Sequence, residues 1–418
     1  MNASTFRLII LISLAHALVH VFELSLPSVE LMIADGFEVS REETGMLGTV
    51  WRVPFGVGAF FAGWLADRYG SKPMLVIYLL GCAATSLLVW TCTSFNVLFG
   101  LMFAMVRFAS IYHPAGLAFI SRETTPETRG VALGWHGIFG SIGIAGAPFL
   151  AALVFSTGAV TWQQYYLFLV VPGVALAAYL YFGLTEHRQP PPVRTLPNGD
   201  IDRDEGQWGA YLILVTGGAL AGFIYAGFMH FLPRYLDTAN LRPSSVSPAG
   251  FRNLLAAAVL VMGVLGQGVA GKFAKPGRLE IQLALIMFAN IGPLLWMAVA
   301  TGPARFAAAC LLGLVHFMTQ PIYNSLIAQY VPFHRRSIGY GFSNMACFGI
   351  GALGPTYAGF AGSDFKVYGG LAVAAAAYCI SMPTFTQQQT RHKNTARSRQ
   401  RTRGRCQCGD VNSREART

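Results

Sequence analysis

Apolar residues run through this chain in blocks long enough to cross a membrane, broken by short stretches where proline, glycine and charge collect. Twelve such blocks can be drawn: 6–33, 44–66, 73–92, 95–120, 129–156, 163–184, 208–232, 250–272, 279–300, 303–330, 335–361 and 368–385. Each covers a hydrocarbon layer of about 30 Å as a helix. The pattern therefore predicts an all-α polytopic membrane protein with twelve transmembrane helices. The first block is expected to be a retained helix rather than a signal peptide, since it holds His16, His20 and Glu23 and eleven further blocks follow.

The longest polar interruption is "TEHRQPPPVRTLPNGDIDRDEGQ", residues 185–207, which reads as a cytoplasmic linker. It divides the chain into a six-helix half over 1–184 and a second over 208–385. Sliding the second half back by 207 positions, without a gap, brings Pro114 onto Pro321, Pro148 onto Pro355, Arg129 onto Arg336, Gly70 onto Gly277 and Arg68 onto Lys275. Matched prolines and loop charges at one offset are the mark of parallel six-helix repeats, whose binding site lies near the midplane between the halves. Residues 386–418 have no apolar periodicity and read as a disordered basic tail.

Composition agrees: the chain is 54% hydrophobic and 12% charged, about half the charge of ordinary soluble domains. The net charge of +11 does not imply nucleic acid. With the N-terminus inside, 22 of the 30 Lys and Arg fall on inner segments or the tail and 6 on outer ones. That asymmetry predicts an inner (plasma) membrane protein with both termini in the cytoplasm. Five of seven cysteines lie in apolar blocks, and Cys406 and Cys408 in the tail make only a lone C-x-C. No disulfide framework, resident metal or cofactor is expected.

Between the second and third blocks stands "GWLADRYGSKPML", Gly63–Leu75. It resembles the signature loop of the major facilitator superfamily, G-x-L-a-D-r-x-G-r-k, with Ser71 in place of a basic residue. The second-half copy, "AGKFAKPGRLE", has Ala274 where the acid should be. The stretches "SIYHPAG" (110–116) and "LAHALVHVFELSLP" (14–27) narrow the resemblance to the fosmidomycin-resistance group, although His20 stands where that group often has an acid. The resemblance implies a gate in which Asp67 meets the start of the eleventh helix near Ser337, with Arg68 and Arg336 flanking. A carboxylate there faces the positive end of a helix dipole.

The polar residues inside the blocks are the candidate chemistry. His16, His20 and Glu23 are spaced i, i+4, i+7 and share one helix face. Groups of this kind titrate near neutrality or take up protons inside membranes, so they are candidates for proton coupling. A structural hydrogen-bond cluster is the competing reading. Arg52 and Arg107 are the cations within the blocks, and Glu23 is read as their only acid. Two arginines competing for one carboxylate suggest an anionic substrate gripped by guanidinium groups. The alternative is one arginine paired and the other bonded to carbonyls. Pro114 and Pro321 bend their helices and are candidate hinges. His113 is a candidate site residue, and His316, Gln320 and Asn324, at i, i+4, i+8, are expected to give the cavity a polar face. The five glycines from 134 to 146 are expected to allow tight helix crossing.

No Walker loop, catalytic triad or nucleotide fingerprint is present, so the chain is not expected to be an enzyme. The resemblance implies a secondary transporter, working as a monomer in the bilayer with a small-molecule substrate and protons as its partners. Its cargo would be a small organic anion, phosphonate-like or drug-like, with efflux favoured by analogy. The alternatives are a transition-metal transporter using the intramembrane histidines, or a transport-inactive sensor or assembly partner.

Overall fold

A computed structural model describes residues 3–124, 126–183, 206–275, 277–332 and 335–380. The linker up to residue 205, the tail, and the side chains of Asp67, Arg129, Arg336 and Ser337 lie outside the described residues. The first half holds α1 (Ala3–Phe37), α2 (Arg41–Tyr69), α3 (Ser71–Trp90), α4 (Phe95–Ala109), α5 (Tyr112–Glu123), α6 (Pro126–Val154) and α7 (Trp162–Gly183). The second holds α8 (Trp208–Asp237), α9 (Pro248–Phe273), α10 (Leu279–Ala289), α11 (Ile291–Val299), α12 (Ala304–Phe317), α13 (Thr319–Tyr330), α14 (Arg336–Met345), a π-helical turn (Ala346–Ile350), α15 (Leu353–Phe360) and α16 (364–380).

Among the described residues, nine passes are long and apolar enough to span a bilayer. The more polar α2, the interrupted α14–α15 and the short α16 bring the described passes to twelve. The helices outrun the apolar blocks at the α1–α2 turn. There Glu38 takes φ 52°, closing α1, and Ser40 accepts from the Glu43 backbone while the Glu43 carboxylate accepts from the Ser40 N–H. This S-x-x-E capping box satisfies two of the donors that a helix start leaves open.

The fourth, ninth and tenth passes are each broken: at Ser110–Ile111, at Asn290 and at Met318. A proline follows each break by a few residues, at 114, 293 and 321. Proline has no N–H for the carbonyl one turn earlier, so the hydrogen-bond ladder is interrupted there. The breaks ahead of Pro114 and Pro321 fall at corresponding points of the two halves.

Two hydrophobic cores result. One is built from residues between Leu8 and Leu180, the other from residues between Ala210 and Tyr378, joined by Leu24, Ile144 and Ala147 of the first half. Large side chains such as Phe61, Val171, Phe182, Phe288 and Ile380 remain exposed around the outside, as a belt facing lipid requires.

Candidate functional site

The i, i+4, i+7 spacing on α1 places His16, His20 and Glu23 in one line of close contacts. His20 Nδ1 lies 2.8 Å from Glu23 Oε2, and His20 Nε2 lies 3.2 Å from His16 Nε2. His16 Nδ1 donates to the carbonyl of His136 on α6 at 2.7 Å, and the two rings stack with centroids 3.8 Å apart. Gly140, one turn further along α6, makes this approach possible: a Cβ there would collide with the His16 ring. His113, just ahead of the Pro114 kink, sets its ring 5.2 Å from His16 and 5.6 Å from His20.

Glu23 is held twice by α2. Pro27 cannot donate to the Glu23 carbonyl, and the Trp51 indole N–H fills that role at 2.8 Å. The next residue, Arg52, donates from Nη1 to Glu23 Oε1 at 3.2 Å, with both side chains almost fully buried. The guanidinium also lies 5.2 Å over the ring of Tyr225, on α8 in the second half. Its Nε and Nη2 have no hydrogen-bond partner among the described residues. Glu23, Trp51, Arg52, Phe55, Val106 and Phe348 line a narrow crevice between the halves. The crevice is too narrow to hold even a water molecule, so the halves are closed on each other at this level.

The arginines do not compete for Glu23. Arg52 takes it, while Arg107 is exposed on α4 with its guanidinium 5.8 Å over the Phe103 ring. Nor is Glu23 the only buried acid. Glu30, two turns along α1, accepts from Arg234 on α8 (Nε–Oε2 2.9 Å, Nη2–Oε1 2.8 Å) and from Thr44 Oγ1 at 2.6 Å. Both residues lie near helix ends, where charge reads as an interfacial anchor, so sequence alone offered only the presence of an acid within the first apolar block.

The expected stripe of His316, Gln320 and Asn324 is split by the break at Met318. His316 turns into the second core, donating from Nδ1 to Asn290 Oδ1 at 3.0 Å and stacking under Tyr225 at 6.2 Å. Gln320 instead accepts from Gln267, which accepts from Ser141 of the first half. The Asn324 side chain is exposed. In the glycine row of α6, Gly140 and Gly143 meet α1, whereas Gly134, Gly137 and Gly146 face open space. Tight crossing therefore accounts for two of the five.

Of the gate that the resemblance implies, the described part is the backbone: α2 packs against α14, the helix that begins at Arg336. Arg68 is exposed, over the rings of Trp64 and Tyr69. At the opposite end of α2 the halves are pinned by side chains. His230 Nε2 donates to the Thr44 carbonyl at 2.9 Å, Thr49 Oγ1 to the Ala352 carbonyl at 2.7 Å, and Asn253 to the Ser28 carbonyl at 2.9 Å. Thr356 Oγ1 donates to Thr49 Oγ1 at 2.7 Å, and Ser247 Oγ to the Phe155 carbonyl.

Among the described residues, twelve passes in two packed halves, with a buried ion pair that reaches the second half and a histidine line behind it, make a polytopic membrane fold. The family profile described as Major Facilitator Superfamily matches residues 11–355, and the chain belongs to that family. The cis,cis-muconate transport protein of Acinetobacter baylyi is 23% identical over 215 residues, 48% of this chain and 51% of the relative. The chain thus spans about half the length of the curated relative it matches. Among solved structures, the inward-facing, unoccupied bacterial homologue of the human lysosomal transporter Spinster superposes with TM-score 0.69 at 14% identity, covering 93% of this chain and 99% of that one. The inward-open xylose transporter XylE from E. coli gives 0.67 at 13% identity, covering 90% and 95%.

Proposed function

We propose that this major facilitator is a proton-coupled secondary transporter of a small organic anion, of carboxylate or phosphonate type. The observation that carries the anion reading is Arg52. A buried guanidinium with one N–H on Glu23 and two nitrogens without a partner among the described residues, beside an apolar crevice at the junction of the halves, is suited to a planar carboxylate or a phosphonate. The muconate transport relative supports the same chemistry, muconate being a dicarboxylate. Glu23, His20 and His16 would carry the coupling proton, since they stand in close succession along one line that ends on Arg52. Proton uptake by Glu23 would release Arg52 for the anion. Efflux from the cytoplasm follows the resemblance of residues 14–27 and 110–116 to the fosmidomycin-resistance group. In this topology the Glu30–Arg234 end is the outer gate and the Asp67 end the inner one, with Pro114 and Pro321 as hinges.

The test is counterflow in proteoliposomes holding the purified protein, with labelled cis,cis-muconate and fosmidomycin as probes. Saturable exchange of either, accelerated by an imposed pH gradient, is the expected result. Absence of exchange across a panel of small carboxylates and phosphonates would overturn the anion reading and favour the sensor alternative.

A further inference from the structure

We propose that His16, His20 and His113 form a binding site for a borderline divalent transition metal such as Zn²⁺ or Co²⁺. The inference starts from where the ring protons are. A carbonyl oxygen only accepts, so His16 carries its proton on Nδ1, the atom 2.7 Å from the His136 carbonyl. Glu23 is ion-paired to Arg52 through its other oxygen, so it accepts from His20 Nδ1 at 2.8 Å. In the neutral rings both Nε2 atoms then carry lone pairs, and they face each other 3.2 Å apart. Two lone pairs at that distance repel unless something electron-poor lies between them.

The spacing fits a metal. Two imidazole nitrogens on a tetrahedral Zn²⁺, each at about 2.0–2.1 Å, stand about 3.3 Å apart. His113 supplies a third nitrogen. The ligand atoms of all three residues lie within 4.8 Å of one another, His113 is half-buried, and its ring makes no hydrogen bond among the described residues. A modest swing of that side chain brings its nitrogen to the third corner, leaving the fourth for water or an anion.

The surroundings are those that orient metal-binding histidines. Such residues characteristically donate their second ring N–H to a carbonyl or a carboxylate, which fixes the tautomer and raises the basicity of the ligating nitrogen. His16 has the carbonyl and His20 the carboxylate. An all-imidazole donor set selects Zn²⁺, Co²⁺, Ni²⁺ or Cu²⁺ over Mg²⁺ and Ca²⁺. Access runs past His20 and His113, the two members of the trio that are partly exposed. The proposal is independent of the transport reading, because occupancy is read without measuring transport. One consequence is common to any activity: a bound ion would tie α1 to α5 and occupy the gap in the histidine line.

The experiment uses full-length protein purified without a histidine tag and carrying Cys406→Ser and Cys408→Ser, to remove thiolate ligands of the tail. Co²⁺ titration should give the visible absorption of a tetrahedral nitrogen-ligated ion, saturating at one equivalent. His113→Phe, which keeps the ring contact with Phe55, should weaken binding at least tenfold, as should His20→Gln. His136→Phe should leave binding unchanged, since His136 acts through its carbonyl. Zn²⁺ should raise the melting temperature of the parent and of His136→Phe but not of His113→Phe. This second readout separates a lost site from a misfolded variant. Absence of the absorption in the parent, or its undiminished persistence in both His113→Phe and His20→Gln, would overturn the proposal.

Discussion

Glu30 on α1 and Arg234 on α8 meet through two parallel hydrogen bonds of 2.9 and 2.8 Å, joining the first half of the protein to the second. Glu30 is buried and Arg234 is about a quarter exposed. Nearby, Thr49 and Thr356 also bridge the halves. Removing one partner of a buried pair costs roughly 3–5 kcal/mol, largely because the other charge is left stranded. Arg234→Met is therefore expected to loosen this end. In a background without native cysteines, oxidative crosslinking of Thr49→Cys with Thr356→Cys should slow at least about tenfold when Arg234→Met is added. An unchanged rate would mean that the pair does not hold the gate.

Arg52 and Glu23 make a second prediction. Their side chains are only 3% and 4% exposed. Either Arg52→Met or Glu23→Leu alone strands a charge and should lower thermal stability in detergent. The double variant should recover part of the loss, because an apolar pair in place of a buried ion pair is often neutral or better. Additive losses in the double variant would rule out the pairing.

The two intramembrane arginines should separate in binding. On the proposed anion reading, Arg52→Ala removes a charge-assisted bond of about 1.5–3 kcal/mol, and the Kd for the substrate should rise roughly ten- to a hundred-and-fifty-fold. Arg107→Ala, exposed beside Phe103, should change Kd far less and stability by no more than about 0.5 kcal/mol. Isothermal titration with the substrate identified by counterflow measures both. Equal losses would return Arg107 to the site.

Gly137 and Gly140 lie one turn apart on α6 and should respond with opposite signs. Nothing stands near a Cβ at Gly137, so Gly137→Ala should stabilise the helix by up to about 1 kcal/mol. Gly140→Ala drives a methyl into the His16 ring and should destabilise by about 1–3 kcal/mol. Melting temperatures of the two variants decide it. A neutral Gly140→Ala would show that His16 can leave its place beside the His136 carbonyl at no cost.

Much of the fold was legible because a bilayer imposes one period and one length, and hydropathy reports both. The line from His16 to Glu23 was legible for a similar reason: i, i+4, i+7 on an unbroken helix has a single geometric meaning. That argument failed at His316, Gln320 and Asn324, where the break at Met318 sends the histidine to Asn290 and the amides elsewhere. Pro321 was visible, but the angle of a proline break depends on what packs around it. The approach of His136 and His113 to His16 joins residues about a hundred positions apart, and no local period encodes such a contact. Glu30 and Arg234 were each visible, but their pairing is a property of how the halves meet.

Pro27 has an effect beyond its own helix. By withholding an N–H it leaves the Glu23 carbonyl open, and the Trp51 indole plugs that opening. Sliding α1 along α2 by even one residue would pull the plug and leave a buried carbonyl unpaired, at a cost of about 1–3 kcal/mol. The two helices are therefore keyed together and travel as one piece. Every hydrogen-bond partner of Glu23 and His16 described above belongs to the first half, whereas Tyr225, beneath the Arg52 guanidinium, and Phe348 in the crevice wall belong to the second. Any movement of one half against the other would therefore leave the inner geometry of the histidine line fixed and change the aromatic faces against Arg52.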